Sequence, residues 1–285
     1  MMGSAYALGA GTIVNAIAGG RGAAFGLDIK VTARVILNES GNIRGRITDN
    51  PVESTKLIEK CVENTLSYFG AKYGAYVETD SKVPIARGLS SSSAAANAVI
   101  LATASALDEK IESMEAIKIG VKTAKEVGVT ITGAFDDACA SFLGGIVVTD
   151  NINNKLLLRE ESEDYAVILV PEEKKYTKES NIRRMKIFRS QVEKVHDMAL
   201  EGKFYDAMTL NGLIYCTALG FDSSIILKAL ESGAKSASLS GKGPSFVALA
   251  DKEDVIRIEK AWKSIGNVLV SKINNEGSGI LNEED

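Results

Sequence analysis

Four consecutive serines follow a glycine in the segment from Pro84 to Ala94, and this pattern is typical of a loop that binds an anion at the start of a helix. Serine hydroxyls cap helices by accepting a hydrogen bond from a backbone N–H of the first turn, and the alanines that follow favour helix. The helix is therefore predicted to begin within Ser90–Ser93, with its N–H groups and positive dipole end facing Gly88. That geometry binds phosphate. A capped surface helix with no ligand is the alternative.

Two adjacent acids, Asp136 and Asp137, lie between a glycine and small apolar residues. Burying a carboxylate is costly unless it has a task, so we interpret one acid as a group that orients or deprotonates a hydroxyl. The alternative is that both acids cap the helix through Ala138. Glu126, which precedes this loop, offers the oxygen ligand that Mg²⁺ takes, although a solvated carboxylate at a helix end explains it more simply.

Two glycine-rich segments can approach a ligand through their backbone. Ala5–Phe25 carries almost no charge and contains glycines that allow close approach. Ser238–Ser245 is predicted as a turn between strands whose N–H groups can bind phosphate, and a plain hairpin explains it equally well. Neither is a standard phosphate fingerprint, because Gly241-Lys242 lacks the following Ser or Thr and Gly9-Ala10-Gly11 lacks the third glycine.

The remaining reactive side chains predict no further chemistry. His196 is the only histidine; it is predicted to be a solvated surface residue on a helix, and its context supports no Ser-His-Asp mechanism. Three widely spaced cysteines, Cys61, Cys139 and Cys216, indicate neither a disulfide framework nor a metal site. They fit a reducing cytoplasm, which is the expected location.

Charge and hydropathy exclude two classes of partner. The net charge is −4, and the chain has no basic stripe of the kind that binds nucleic acid. No apolar run reaches membrane-spanning length, and no signal-peptide pattern is recognised. We expect a small-molecule substrate, no nucleic acid and no membrane; the oligomeric state stays open.

The elements that must position these groups alternate without a strict βαβ rhythm, which predicts an α+β fold. With 285 residues the chain is expected to form two packed lobes, 1–152 and 153–285, divided at a turn over Asn151–Asn154. The predicted strands are Leu27–Leu37, Tyr73–Thr79, Ile146–Thr149, Tyr165–Val170, Ala237–Gly243 (running into the turn), Phe246–Ala250 and Val268–Ile273. The predicted helices are Ser54–Tyr68, the serine-loop helix to about Leu107, Ser113–Val127, Met185–Glu201, Phe204–Leu219, Ser224–Ser232 and Glu253–Ile265. Predicted irregular segments are the loop Gly128–Asp137, the charged stretch Glu172–Arg184 and the tail Asn282–Asp285.

Four segments in this order resemble the GHMP kinases, a family that includes galactokinase, homoserine kinase and mevalonate kinase. The family pattern Pro-x-x-x-Gly-Leu-x-Ser-Ser is matched from Pro84 to Ser92. The glycine-rich N-terminal segment takes the place of the first motif, and Ser238–Ser245 resembles the third. Gly133–Asp136 resembles the loop whose acid faces the substrate hydroxyl, and Glu126 falls about where the magnesium-binding glutamate of the family lies.

Within the family the chain is most similar to the shikimate kinases of archaea, through the strings Gly9–Ala18, Gly22–Gly26 and Gly133–Ser141. It departs from other members where mevalonate kinase has Pro-Gly-Lys, because Thr12 stands in place of the lysine. The missing charge would then come from elsewhere, for example from Arg21 or Arg87. Ser90 also stands where many members have glycine.

The resemblance implies a lobe like domain 2 of ribosomal protein S5, a ferredoxin-like second lobe, and ATP-dependent phosphorylation of the 3-hydroxyl of shikimate with Mg²⁺. The implied site consists of catalytic Asp136; the ATP-binding residues Pro84, Ile85, Ala86, Arg87, Gly88, Leu89, Ser90, Ser91, Ser92, Ser93 and Ala94; the metal ligands Ser92 and Glu126; and the substrate contacts Thr12, Asn15, Arg21, Asp137, Gly241 and Gly243. Charge alone makes Arg21, Arg183 and Arg184 candidates for binding the substrate carboxylate. The alternatives are another small-molecule GHMP kinase such as homoserine kinase, and a non-catalytic regulator that binds ATP and a metabolite.

Overall fold

The computed structural model describes residues 1–130, 133–171 and 182–282. Its larger sheet has seven strands. Five of them lie in the order β11-β1-β2-β4-β3, while β5 pairs with the first part of β2 and β6 pairs with β5. The strands are β1 Met2–Val14, β2 Arg21–Asn38, β3 Ile43–Ile47, β4 Gly74–Ser81, β5 Ile146–Asp150, β6 Lys155–Glu160 and β11 Gly279–Leu281.

Three helices pack against this sheet and a fourth, α3 (Ser113–Glu126), packs on those three, and all four share one hydrophobic core with the sheet. Small residues allow a very close approach, since a β-carbon at Gly3 in β1 would overlap backbone atoms of Ala102 and Ala106. The alanine-rich helix is therefore buried along most of its length. The four helices are α1 Lys56–Tyr68, α2 Ser91–Ala106, α3 Ser113–Glu126 and α4 Phe135–Leu143.

The second sheet has four antiparallel strands in the order β10-β7-β9-β8. Its core includes the only tryptophan, Trp262, whose indole Nε1–H donates to the carbonyl oxygen of Ile225 at 2.9 Å. The strands are β7 Tyr165–Pro171, β8 Ser236–Leu239, β9 Phe246–Ala250 and β10 Gly266–Lys272, and the helices are α5 Ile182–Ile187, α6 Arg189–Leu200, α7 Phe204–Leu219, α8 Ser224–Glu231 and α9 Val255–Trp262.

The α+β class predicted from the sequence is confirmed, and the differences lie in particular elements. The strands β1, β3, β6 and β11 were not predicted, and α4 begins inside the predicted loop Gly128–Asp137. Strands β6 and β11 follow residue 152 but pair within the first sheet, so the division into 1–152 and 153–285 stays a prediction. In the described part of the chain, no helix is long and apolar enough to cross a membrane.

Two predicted irregular segments lie largely beyond the described residues. Of the charged stretch Glu172–Arg184, residues 172–181 are outside the described ranges, and α5 has already begun at Ile182. Of the tail Asn282–Asp285, residues 283–285 are outside them as well.

Candidate active site

Three predicted motifs meet at the end of β1. The backbone N–H of Gly241 donates to the Thr12 hydroxyl at 2.9 Å, and the Asn15 side-chain amide donates to the Gly241 carbonyl at 2.8 Å. The Ser240 hydroxyl donates to the Gly88 carbonyl at 2.7 Å. Sequence segments that lie far apart in the chain therefore form one wall of a site, and Thr12 and Asn15 use their side chains to hold the glycine turn.

The serine loop owes its shape to backbone conformations that side chains rarely adopt. Ala86, Gly88 and Ser90 have φ angles of 55°, 80° and 59°. At Gly88 a β-carbon would also overlap the carbonyl oxygen of Ser240, so glycine is required there. The loop therefore approaches the Ser240–Gly243 turn through its backbone.

The start of α2 at Ser91 confirms the predicted helix start, but the expected serine cap is wrong. Ser90 has a left-handed backbone and makes no side-chain capping bond; its hydroxyl instead bonds the Asp137 carboxylate. The first helical bond runs from the Ala94 N–H to the Ser90 carbonyl at 3.0 Å. The N–H groups of the first turn therefore face outward without a capping side chain, which suits an anionic ligand.

Asp136 lies in the first turn of α4 and is 5% exposed. Its Oδ1 accepts a hydrogen bond from Asn151 Nδ2 at 2.7 Å, and the backbone N–H groups of Asp136 and Asp137 also bond its carboxylate. A β-carbon at Gly22 in β2 would overlap this carboxylate. Burial raises the pKa of Asp136, and the three hydrogen bonds oppose that rise because they favour the charged form.

Asp137 connects this acid to the serine loop. Burial, together with the neighbouring charge of Asp136, raises the pKa of Asp137 well above its ordinary value, and the bond from Ser90 opposes the rise. Both acids lie in the first turn of α4, which is the position that the capping alternative predicts. Of the two, Asp137 is the acid whose side chain is described as bonded to a residue of the predicted ATP loop.

His196 is fully buried, so its predicted surface position is wrong. It lies on α6, where its Nε2–H donates to the Thr149 carbonyl at 3.2 Å. Within the described structure Nδ1 has no hydrogen-bond partner, and burial is the largest cause of the lowered pKa of His196. The helical spacing of the buried residues on α6 carried the missing signal, namely Val192, Val195, His196 and Ala199.

The predicted metal ligands are not joined by a described contact. Glu126 ends α3, where it accepts a hydrogen bond from Asn64 Nδ2 at 2.9 Å and lies 3.8 Å from Lys122 Nζ. Ser92 is exposed on the first turn of α2. No cluster of three or more His, Cys, Asp or Glu side chains that could hold a metal occurs in the described ranges.

The candidate cations differ in how close they lie to the acids. Arg21 is exposed at the start of β2, next to Gly22 and opposite Asp150 in the sheet register. The Arg87 guanidinium donates to the Pro171 carbonyl at 3.4 Å, and that of Arg184 donates to the Thr217 carbonyl at 3.4 Å. Arg21 is therefore the candidate that directly precedes Gly22, the residue that packs on the Asp136 carboxylate.

A groove of about 850 Å³ follows the outer face of α1. Its walls include the segment Gly41–Ile43, the lysines Lys56 and Lys60, and Tyr73. None of the residues that line it belongs to the predicted site. The groove therefore lies outside the predicted catalytic site.

Comparison with known proteins gives one consistent result. The family models "GHMP kinases N terminal domain" and "GHMP kinases C terminal" match residues 56–145 and 201–268. A protein named shikimate kinase from Methanosarcina mazei is 51% identical over 99% of this chain and 98% of its own, and one from Methanothermobacter thermautotrophicus is 41% identical over 96% of each.

Solved structures agree in fold at low sequence identity. A homoserine kinase from Cytophaga hutchinsonii is 19% identical with a TM-score of 0.78, covering 98% of this chain and 97% of its own. A galactokinase from Lactococcus lactis, complexed with galactose, is 14% identical with a TM-score of 0.77 over 98% and 95%. Similarity at this level concerns the fold alone.

Proposed function

This chain belongs to the GHMP kinases, and on that premise we propose that it is a shikimate kinase, which transfers the terminal phosphoryl group of ATP to the 3-hydroxyl of shikimate. The family resemblance found in the sequence is confirmed. One observation carries the proposal: relatives named shikimate kinase match almost the whole chain at 41–51% identity. The bond between Ser90 and Asp137, which joins the phosphate-binding loop to the acids, supports it.

The serine loop and the Gly241 turn would bind the triphosphate. The first-turn N–H groups of α2 and the positive end of the helix dipole favour negative charge. The turn containing Gly241 and Gly243 borders the loop through the bond between Ser240 and Gly88. Backbone groups recognise phosphate oxygens without a side-chain charge, which suits a chain with Thr12 in the place where mevalonate kinase has a lysine.

The two proposed metal ligands carry oxygen donors of the kind that Mg²⁺ prefers. Mg²⁺ takes oxygen ligands, keeps several waters and needs only one or two protein ligands beside phosphate oxygens. The Ser92 hydroxyl and the Glu126 carboxylate are the proposed ligands. When bound with ATP, the ion would neutralise charge on the phosphate oxygens.

Asp136 is proposed to orient the acceptor hydroxyl and to accept its proton. Phosphoryl transfer requires mainly positioning and charge stabilisation, so one well-placed acid suffices. Burial raises the pKa of this carboxyl, which makes its ionised form a stronger base. Arg21 is proposed to bind the substrate carboxylate, because it adjoins Gly22, which packs on Asp136.

A panel of acceptors tests the proposal. Shikimate, homoserine, mevalonate and galactose are compared in an assay coupled to ADP release, and the phosphorylated position is read from phosphorus–proton couplings by NMR. We expect turnover with shikimate and a phosphate on its 3-oxygen. Faster turnover with homoserine would make the chain a different small-molecule kinase. ATP binding without ADP release for any acceptor would favour the regulator.

A further inference from the structure

A buried amide in the turn after β5 holds one oxygen of the acid. Asn151 is 4% exposed, and its Nδ2 donates to Asp136 Oδ1 at 2.7 Å. The sequence indicated only a turn at this position. The contact joins two elements, since Asp136 is on α4 and Asn151 follows β5.

The orientation of the Asn151 side-chain amide is fixed by contacts on the side away from Asp136. The Thr149 hydroxyl lies 2.7 Å from Asn151 Oδ1 and 3.2 Å from the Gly22 carbonyl, and it donates to the nearer oxygen, which leaves the amide nitrogen facing Asp136. The backbone N–H of Asn151 donates to the Gly20 carbonyl at 2.9 Å, which fixes the turn against the start of β2. The Thr149 carbonyl in turn accepts a hydrogen bond from His196. Each group that supports Asn151 is therefore itself held in place.

The two oxygens of Asp136 consequently have different surroundings. Oδ1 is bound by Asn151, whereas Oδ2 fills the space that the absent side chain of Gly22 leaves, and no described side chain donates a hydrogen bond to it. In the proposed reaction, the substrate O–H bond would break with its proton passing to Oδ2, and the freed oxygen would form the bond to the terminal phosphorus of ATP as the bond from that phosphorus to ADP breaks.

We propose that Asn151 is a positioning residue, which, supported by Thr149, directs Oδ2 of Asp136 towards the acceptor hydroxyl. The inference rests on the proposed role of Asp136 as the group that receives the hydroxyl proton. Because a displacement of about 1 Å can cost about 10²-fold in rate, the amide contributes through placement. As a neutral donor it also favours the charged carboxylate without a salt bridge, which would weaken the base more strongly.

The pH dependence of this arrangement involves groups on two elements. Asp137 and Cys139 on α4, and Tyr215 on α7, interact electrostatically with Asp136. The bond from Asn151 lowers the pKa of Asp136 against the larger effect of burial. Loss of the amide should therefore raise the pKa of Asp136 and shift the acidic limb of the kcat profile to higher pH.

The first experiment uses Asn151→Leu, which keeps the shape and removes the donor. We expect kcat with ATP and shikimate to fall about 10²-fold, with the KM for ATP within about threefold of the wild type. In the ligand-free protein, carbon-13 NMR of the Asp136 carboxyl should report a raised pKa. An unchanged kcat and an unchanged pKa of Asp136 overturn the inference, as does a fall in kcat with no change in either pH measurement.

Two variants at position 149 test the same inference if Asn151→Leu fails to fold. Thr149→Val removes the hydroxyl that orients the amide, while Thr149→Ser retains it. We expect a loss in kcat of about three- to tenfold for valine, with the pKa of Asp136 again raised, and near wild-type values for serine. Equal behaviour of the two variants overturns the inference. The carboxyl pKa is measured without substrate. If the wild-type protein does not phosphorylate shikimate, the proposed function is rejected, while the effect of Asn151 on the pKa of Asp136 can still be measured.

Discussion

The proposed nucleotide cradle, formed by Pro84–Ala94 and Ser240–Gly243, and the acid cluster, formed by Asp136, Asn151 and Thr149, are held by different interactions. In the cradle, side chains bond backbone groups, as the Ser240 hydroxyl bonds the Gly88 carbonyl, and positive-φ residues with a glycine let the loop and the turn approach. In the acid cluster, side chains from separate elements bond one another in the interior. Under the proposed function, the cradle would bind phosphate whatever the acceptor, whereas the cluster would serve the proton-accepting step.

The largest expected effect separates the two regions directly. Asp136→Asn should lower kcat about 10³-fold, because it removes the base. The calorimetric Kd for ATP should stay within about threefold, since the cradle is unchanged. The matched control Asp137→Asn keeps an acceptor for Ser90 and should lose less than about tenfold in kcat. Near wild-type turnover of Asp136→Asn would remove the acid from the mechanism and end the comparison.

A methyl group at Gly22 tests whether the acid must keep its place. Gly22→Ala should lower kcat about 10²-fold, because the new β-carbon would overlap the Asp136 carboxylate. Gly19→Ala is the control, since its β-carbon would meet Glu193 at an ordinary distance of 3.5 Å. Steady-state kinetics measures both variants, and equal kcat values would contradict the close packing of Gly22 on the acid.

The corresponding substitution in the cradle should act on ATP. Gly88→Ala should raise the Kd for ATP about tenfold, because a β-carbon there would overlap the Ser240 carbonyl and displace the turn. Gly128→Ala is the control: its φ of 76° is equally unsuited to alanine, but nothing lies within 4 Å of the new carbon. The same Kd for both variants, measured by calorimetry, would contradict the role of the contact between loop and turn in ATP binding.

The smallest effect is on stability, and it depends on pH. Burial raises the pKa of Asp137 in the folded protein, so the folded form holds the proton more tightly than the unfolded chain does. As the pH rises above 3.8, the ordinary pKa of an aspartate, the carboxyl ionises in the unfolded chain first and the folded state loses stability. Asp137→Asn should raise the Tm by about 2–4 °C near neutral pH, and the gain should shrink towards pH 4. The exposed Asp197→Asn is the control and should change little. A gain independent of pH, measured by calorimetry, would contradict the electrostatic explanation.

The parts of the site that sequence could predict are those encoded by neighbouring residues. Gly88 and the serines predict a helix start that binds an anion, since local backbone chemistry dictates it, and the structure begins α2 at Ser91. Asn151 and Thr149 could not be predicted, because their bonds depend on how β5 packs beside α4. A side-chain network between different elements has no regular spacing in the sequence by which it could be predicted.

The unpredicted first strand has a different cause. Glycine and alanine are poor strand formers, so the sequence predicts for Ala5–Phe25 a segment that allows close backbone approach, and no strand before Leu27. Tertiary packing overrides that preference, because only small residues in β1 let α2 lie so close to the sheet. His196 illustrates the reverse case, in which the buried spacing along α6 was present in the sequence but charged neighbours suggested the surface.

Strand β11 pairs with β1, register for register from Ser4 with Leu281 to Tyr6 with Gly279. The last-made strand of the larger sheet therefore adds to the first-made one. During synthesis on the ribosome, that edge of the sheet stays open until residue 281 has emerged, and the exposed backbone of β1 can pair with other chains in the interval. Translation of the second half of the chain thus sets how long this edge of β1 stays open.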